Sequence, residues 1–240
     1  MWPVCKKEIS QFFSSLTGYI AIVIFLLLNG LILFLFPDSN VLDFGYANLD
    51  RFFEVAPWIL LLLTSAITMR TFSDEFKTGT YEILQTKPIG RWQVIFAKYL
   101  GCLLVALIAL LPTVIYAITI QQLSVSGGID VGATIGSYIG LIFLAAVFVA
   151  IGIFCSSLTN NAVVSFLTCA FFCFLLFTGF DAVGRIKSFE SGAGYYIEMF
   201  GIDFHYHSIS RGVVDSRDII YFFSVISIFL LLTYRKLLKR

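Results

Sequence analysis

The chain has 240 residues, of which 59% are hydrophobic and 13% charged, with a formal net charge of +1. A water-soluble globular chain carries about 25% charged residues, so this composition excludes an ordinary soluble domain and indicates an integral membrane protein. No basic patch interleaved with aromatics suggests a nucleic-acid partner, and the five cysteines (Cys5, Cys102, Cys155, Cys169, Cys173) show neither metal-ligand spacing nor a disulfide framework.

Residues 2–16 place Trp2, Cys5, Ile9, Phe12, Phe13 and Leu16 on one helical stripe, with Lys6, Lys7, Ser10, Gln11 and Ser14 opposite. The pattern predicts a basic amphipathic helix lying along a membrane surface; the plain start of a first span is the alternative. Six apolar segments follow, at about 18–36, 55–71, 97–120, 135–155, 162–180 and 219–234. Each can cross a hydrocarbon core about 30 Å thick as a helix, which satisfies its own backbone. The first ends at Pro37-Asp38; no small-residue cleavage site follows it, so a signal peptide is not expected. The second opens with Pro57 and the interfacial Trp58, and Pro112 is expected to kink the third. The chain reads as one all-α transmembrane domain over 1–240.

Six spans put both termini on one side, together with loops 70–98 and 156–161. That side carries eleven lysines and arginines and four acids, against five and eleven on the other. The positive-inside rule then makes the termini and the 70–98 loop cytoplasmic.

Loop 70–98 is the longest polar interval of the first two-thirds of the chain. Gly79 can cap a short helix, with Glu82 completing the cap. Tyr81 and Leu84 share one face of it, Pro88 stops it near Thr86, and Gly90 turns the chain into the amphipathic run from Trp92. A capped, partly apolar helix in a polar loop predicts a soluble partner.

The loops on the other side differ in kind. Residues 37–54 are acidic (Asp38, Asp43, Asp50, Glu54), and 121–134 carry only Asp130. Residues 181–218 are long and half apolar. Tyr195, Tyr196, Ile197, Met199, Phe200, Ile202 and Phe204 predict an interfacial or re-entrant hairpin broken at Gly201. Asp215 is expected to cap the last span, with Asp218 in its first turn. His205 and His207 diverge on a helix and read as interfacial polar residues rather than metal ligands.

No span holds an ionisable residue near its centre; Arg70, Lys98 and Asp181 sit at ends, where snorkelling is cheap. Ion-coupled carriers and intramembrane proteases need such groups at depth, and no GxxxxGK[ST] loop is present. Energy for transport would therefore enter from another protein, through loop 70–98. Gly132, Gly136 and Gly140 form two GxxxG steps for close helix packing, within the chain or across a dimer.

The six spans, the amphipathic first helix, and the runs FSDEFKTGTYEILQTKPIGRWQVIFAKYL (72–100) and SRGVVDSRDIIYFFSVISIFLLLT (210–233) resemble the type-2 exporter permeases of ABC transporters. Within that family the chain looks most like the permease of the gliding-motility transporter of Bacteroidetes-type bacteria. The resemblance implies a non-enzymatic subunit with a dimeric membrane core, built with a second copy or a related membrane subunit. It implies a separate cytoplasmic ATPase that binds Mg-ATP, this chain holding no cofactor. Thr80, Tyr81 and Leu84 would then lie in a coupling helix that enters a cleft of the ATPase, with Glu75 and the 2–16 helix lining the contact. Residues 181–218 would close the outer end of the pathway. A membrane anchor or scaffold of a motility or secretion machine is the alternative function; a membrane enzyme or passive channel is a third.

Overall fold

The computed structural model describes residues 1–36, 48–86, 88–124, 128–186, 193–212 and 215–239. All elements among the described residues are helical. In order they are α1 (Trp2–Phe13), α2 (Leu16–Phe34), α3 (Asp50–Thr68), α4 (Ser73–Thr78), α5 (Thr80–Gln85), α6 (Arg91–Leu110), a 3₁₀ turn (Leu111–Thr113), α7 (Val114–Leu123), α8 (Val131–Leu158), α9 (Ala162–Gly184), α10 (Ala193–Glu198), α11 (Ile202–Ser210) and α12 (Ser216–Leu238). Among the described residues, six stretches are long and apolar enough to cross a membrane: 16–34, 50–78, 91–123, 131–158, 162–184 and 216–238.

These follow the expected spans, with extensions at their ends. Helix α3 begins five residues before the apolar segment because its first turn is charged, with Arg51 and Glu54 paired at 2.9 Å. At Pro112, where a kink is expected, the α-helix gives way to the 3₁₀ turn, since proline removes the N–H that would continue the α-helical ladder. The Pro37-Asp38 stop, the acids Asp38 and Asp43, and the basic residues Lys87, Lys187 and Arg240 lie outside the described residues.

Helix α8 is the axis of the bundle. It packs against α3, α6, α9, α11 and α12, and Leu144, Ala145 and Val147 through Ile151 have no accessible surface. Its sequence is apolar on every face, the pattern of a helix enclosed by others. Helices α2, α9 and α12 lie outside it. Their outward rows, such as Leu27 and Leu31, Leu167 and Phe171, or Ile220 and Phe223, remain exposed, as lipid-facing or subunit-facing surfaces require.

Small residues set how closely neighbours approach α8. A Cβ at Gly152 would overlap the Thr68 hydroxyl and lie 2.7 Å from Thr68 Cβ. The glycine row falls on α11 of the same chain. A Cβ at Gly136 would lie 2.9 Å from Gly212 Cα, and one at Gly140 would lie 3.3 Å from the Tyr206 ring. Gly132 is exposed, and a Cβ there would meet the carboxylate of its own helix cap, Asp130, at 3.3 Å. Tyr206, seated against Gly140, donates its hydroxyl to the Phe53 carbonyl at 2.7 Å and so joins α11 to α3.

Gly152→Ala is expected to destabilise the protein by about 1–3 kcal/mol through overpacking, measured as thermal unfolding in detergent. Adding Thr68→Ala, which removes the overlapping hydroxyl but keeps the Cβ 2.7 Å away, is expected to recover part of that loss.

Candidate functional site

The segment between the second and third spans is held by the end of α8. Ser156 Oγ accepts from the backbone N–H of Phe72 (3.0 Å) and Ser73 (3.2 Å), and donates to the Met69 carbonyl (3.3 Å). One hydroxyl thus satisfies the turn between α3 and α4, where backbone groups lack helical partners. Gly79 then separates α4 from α5 with φ 70°. A Cβ there would meet nothing within 4 Å, so the left-handed backbone selects glycine, not a shortage of space. Three rings fold α5 back onto α4. Phe72 and Phe76 are stacked at 5.8 Å, and Tyr81 meets Phe76 edge-on at 5.1 Å. The chain re-enters the bundle at Gly90, whose N–H donates to Gln93 Oε1 at 3.3 Å. Trp92 stacks on Tyr234 at 4.5 Å, tying the start of α6 to the end of α12.

Behind this segment lies an ion cluster. Lys98 does not snorkel, as its place near a span end suggested; it has no accessible surface. Its ammonium donates to Glu8 Oε1 (2.6 Å), to the Thr71 carbonyl (2.7 Å) and to Glu75 Oε1 (2.9 Å), and lies 5.0 Å from the centre of the Phe72 ring. Glu75 Oε1 also accepts from Lys7 at 2.6 Å. A buried ammonium is tolerable when every N–H has an acceptor and its charge is matched, and here three acceptors meet three hydrogens. The cluster draws together α1, α4 and α6.

Helix α1 is accordingly a packed element. It runs from Trp2 to Phe13 and buries Val4, Cys5 and Glu8 against α6. Gly101 admits it, since a Cβ there would lie 3.0 Å from Glu8 Cβ. The expected stripe is corrected at both ends: Trp2 is exposed, and Leu16 is exposed and opens α2. The reason is ionic. Glu8 must face Lys98, and that rotates the seated face toward Val4 and Cys5. Burial and the neighbouring Glu8 charge push the Cys5 thiol up from its ordinary range.

The predicted loop residues separate into two groups. Glu75 and Tyr81 are buried, the first in the ion cluster and the second against Phe72 and Phe76. Leu84 is half-buried and lines a groove of about 300 Å³ with Tyr81, Ile89, Gly90, Arg91 and Val94. Thr80 is exposed, 3.0 Å from the Thr78 hydroxyl. Ile83, not singled out from the sequence, is the large apolar side chain that α5 presents outward, 62% exposed. No side chain caps the start of α5; Glu82 in its first turn favours the positive helix end instead. The helix stops at Thr86, as expected.

At the opposite end, α10 and α11 form two short helices broken at Gly201. His205 is buried there. Its Nδ1 lies 2.6 Å from Asp218 Oδ1 and its Nε2 lies 2.9 Å from the Met199 carbonyl. Its ring stacks on Tyr221 at 3.9 Å. His207 points elsewhere, 3.4 Å from Asp203. Asp215 caps α12 by accepting from the Arg217 N–H at 3.0 Å. Burial, and secondarily the nearby Asp181 charge, hold the Asp203 carboxyl above its usual range against the opposing His207 and Arg185.

A family model described as "ABC-2 family transporter protein" matches residues 2–197, from α1 into α10. The chain belongs to the ABC-2 transporter family. No curated protein matches it significantly. An ABC-2 permease is a multi-pass membrane component of an ABC transporter, generally without its own catalytic site, and associates with an ATP-binding subunit.

Two outcomes test this permease's charged sites. Lys98→Met leaves two carboxylates facing each other at low solvent access and is expected to cost about 3–5 kcal/mol, against less than about 1 kcal/mol for Lys7→Met at the half-exposed rim; unfolding in detergent measures both. For Asp203 the raised carboxyl means its contribution to stability is full below the ordinary value of about 3.9 and is lost as pH rises through the folded value. Asp203→Asn is therefore expected to raise the unfolding temperature at pH 7, with the gain vanishing toward pH 4.

Proposed function

We propose that this chain is the permease subunit of an ATP-driven exporter whose separate cytoplasmic ATPase docks on α5. The observation that carries the reading is Ile83. A large apolar side chain stands exposed on a short helix in a polar loop, and the three-ring stack and Ser156 brace that helix against the core. Exposed apolar groups on a rigid support suit a partner's cleft. Thr80, Glu82 and Ile83 form the contact, and the Tyr81–Leu84 groove receives its edge. Glu75 supports the contact from behind.

The excess of lysine and arginine on the α5 side supports a cytoplasmic position for α5 and both termini, in the inner membrane of a bacterium. The ATPase supplies Mg-ATP binding. The membrane core is a pair of permeases, identical or related. Closure of the ATPase dimer on nucleotide pushes α5, and the spans rock as packed units between two arrangements. The overall likeness of the chain to gliding-motility permeases supports a role in that process.

Affinity purification in mild detergent tests the reading. Wild type is expected to retain a stoichiometric P-loop ATPase, and Ile83→Asp to lose it while keeping its unfolding temperature. Leu84→Asp, half-buried, is expected to lose both. Retention of a non-ATPase partner by wild type would favour the scaffold function instead.

A further inference from the structure

The ion cluster divides along a seam that strands no charge. Lys7 and Glu8 are adjacent on α1 and opposite in sign. Consecutive helical residues project in different directions, and these two reach different elements: Lys7 reaches Glu75 on α4, and Glu8 reaches Lys98 on α6. The direct link between α4 and α6 is the third contact, Glu75 to Lys98 at 2.9 Å. If that contact opens, two neutral pairs remain, each still joined through α1. Lys98 keeps Glu8 and the Thr71 carbonyl. Glu75 keeps Lys7, and its second oxygen, buried now without a partner, becomes free to take a donor. The other neutral division, Glu75 with Lys98 and Lys7 with Glu8, parts two contacts instead of one and releases α1; every remaining division leaves an unmatched charge, which is far costlier.

The two arms of α1 also differ in stiffness. On the α6 side Gly101 brings the backbones close, and Glu8 is buried. On the α4 side the tether is a single long lysine, its side chain 52% exposed, able to follow Glu75 as it moves.

We propose that α1 is a strap that rides on the third span and keeps hold of α4 while the Glu75–Lys98 contact opens during coupling, with Lys7 and Glu8 as its positioning residues. The inference rests on the ATPase-docking function above and adds to it a route, through α1, by which a push on α5 reaches the third span without isolating a buried charge.

The test compares wild type, Lys7→Met and Lys7→Arg in complex with the co-purified ATPase, reconstituted in lipid nanodiscs. Three quantities are read: the ATPase retained, the unfolding temperature, and the ATP turnover relative to the ATPase alone. Lys7→Met is expected to retain the ATPase and the unfolding temperature but to lose stimulation by about fivefold or more, the lower end of typical coupling. Lys7→Arg is expected to restore it. Unchanged stimulation in Lys7→Met would overturn the strap. So would a loss that Lys7→Arg does not rescue, or one matched by a fall in stability or in ATPase retained, since these describe a passive brace. Wild type that retains no ATPase would overturn the docking function itself, independently of either variant.

Discussion

Lys98 carries a full charge to a place without solvent, and much of the architecture around it follows from that. Even after relaxation, moving an ammonium out of water costs several kcal/mol. The charge is held only while Glu8, Glu75 and the Thr71 carbonyl stand around it. Those groups come from α1, α4 and the turn after α3, so the pairing fixes the mutual positions of the first helix, the loop and the third span. Gly101 makes the approach of α1 possible, and Phe72 closes the site with its ring.

The second constraint comes from α8. It reaches from Ser156, at the loop, to Gly136 and Gly140, beneath α11. The two ends of the molecule are thus built on the same helix. A displacement of the turn after α3 is felt at Ser156, and a shift of α8 along its axis is felt where Tyr206 bridges α11 to α3. Packed helices respond to such loads as units, because their interiors have little free volume.

The spans, the break at Pro112, the stop at Thr86, the Asp215 cap and the helix break at Gly201 were legible in the sequence, since each rests on local pattern: apolar run length, proline, glycine, or a capping residue. Burial of charge was not. Lys98 near a span end looks the same whether it snorkels or pairs, and its partners lie 90 and 23 residues away. His205 escaped for the same reason, with Asp218 on another helix. The facing of α5 was half legible. Tyr81 and Leu84 do lie toward one side, but that side turns to the protein, because Phe72 and Phe76 take Tyr81. This leaves Ile83 outward. Its signal was present as an isoleucine between Glu82 and Leu84, off the face that the reading favoured.

The order of the partners along the chain has a consequence for biogenesis. Glu8, Thr71 and Glu75 all precede Lys98, so nothing made later is needed to match its charge. When the third span enters the bilayer, its one buried lysine finds both carboxylates already synthesised. The first half of the protein can therefore close its most expensive site before α8, the centre of the finished bundle, has left the ribosome.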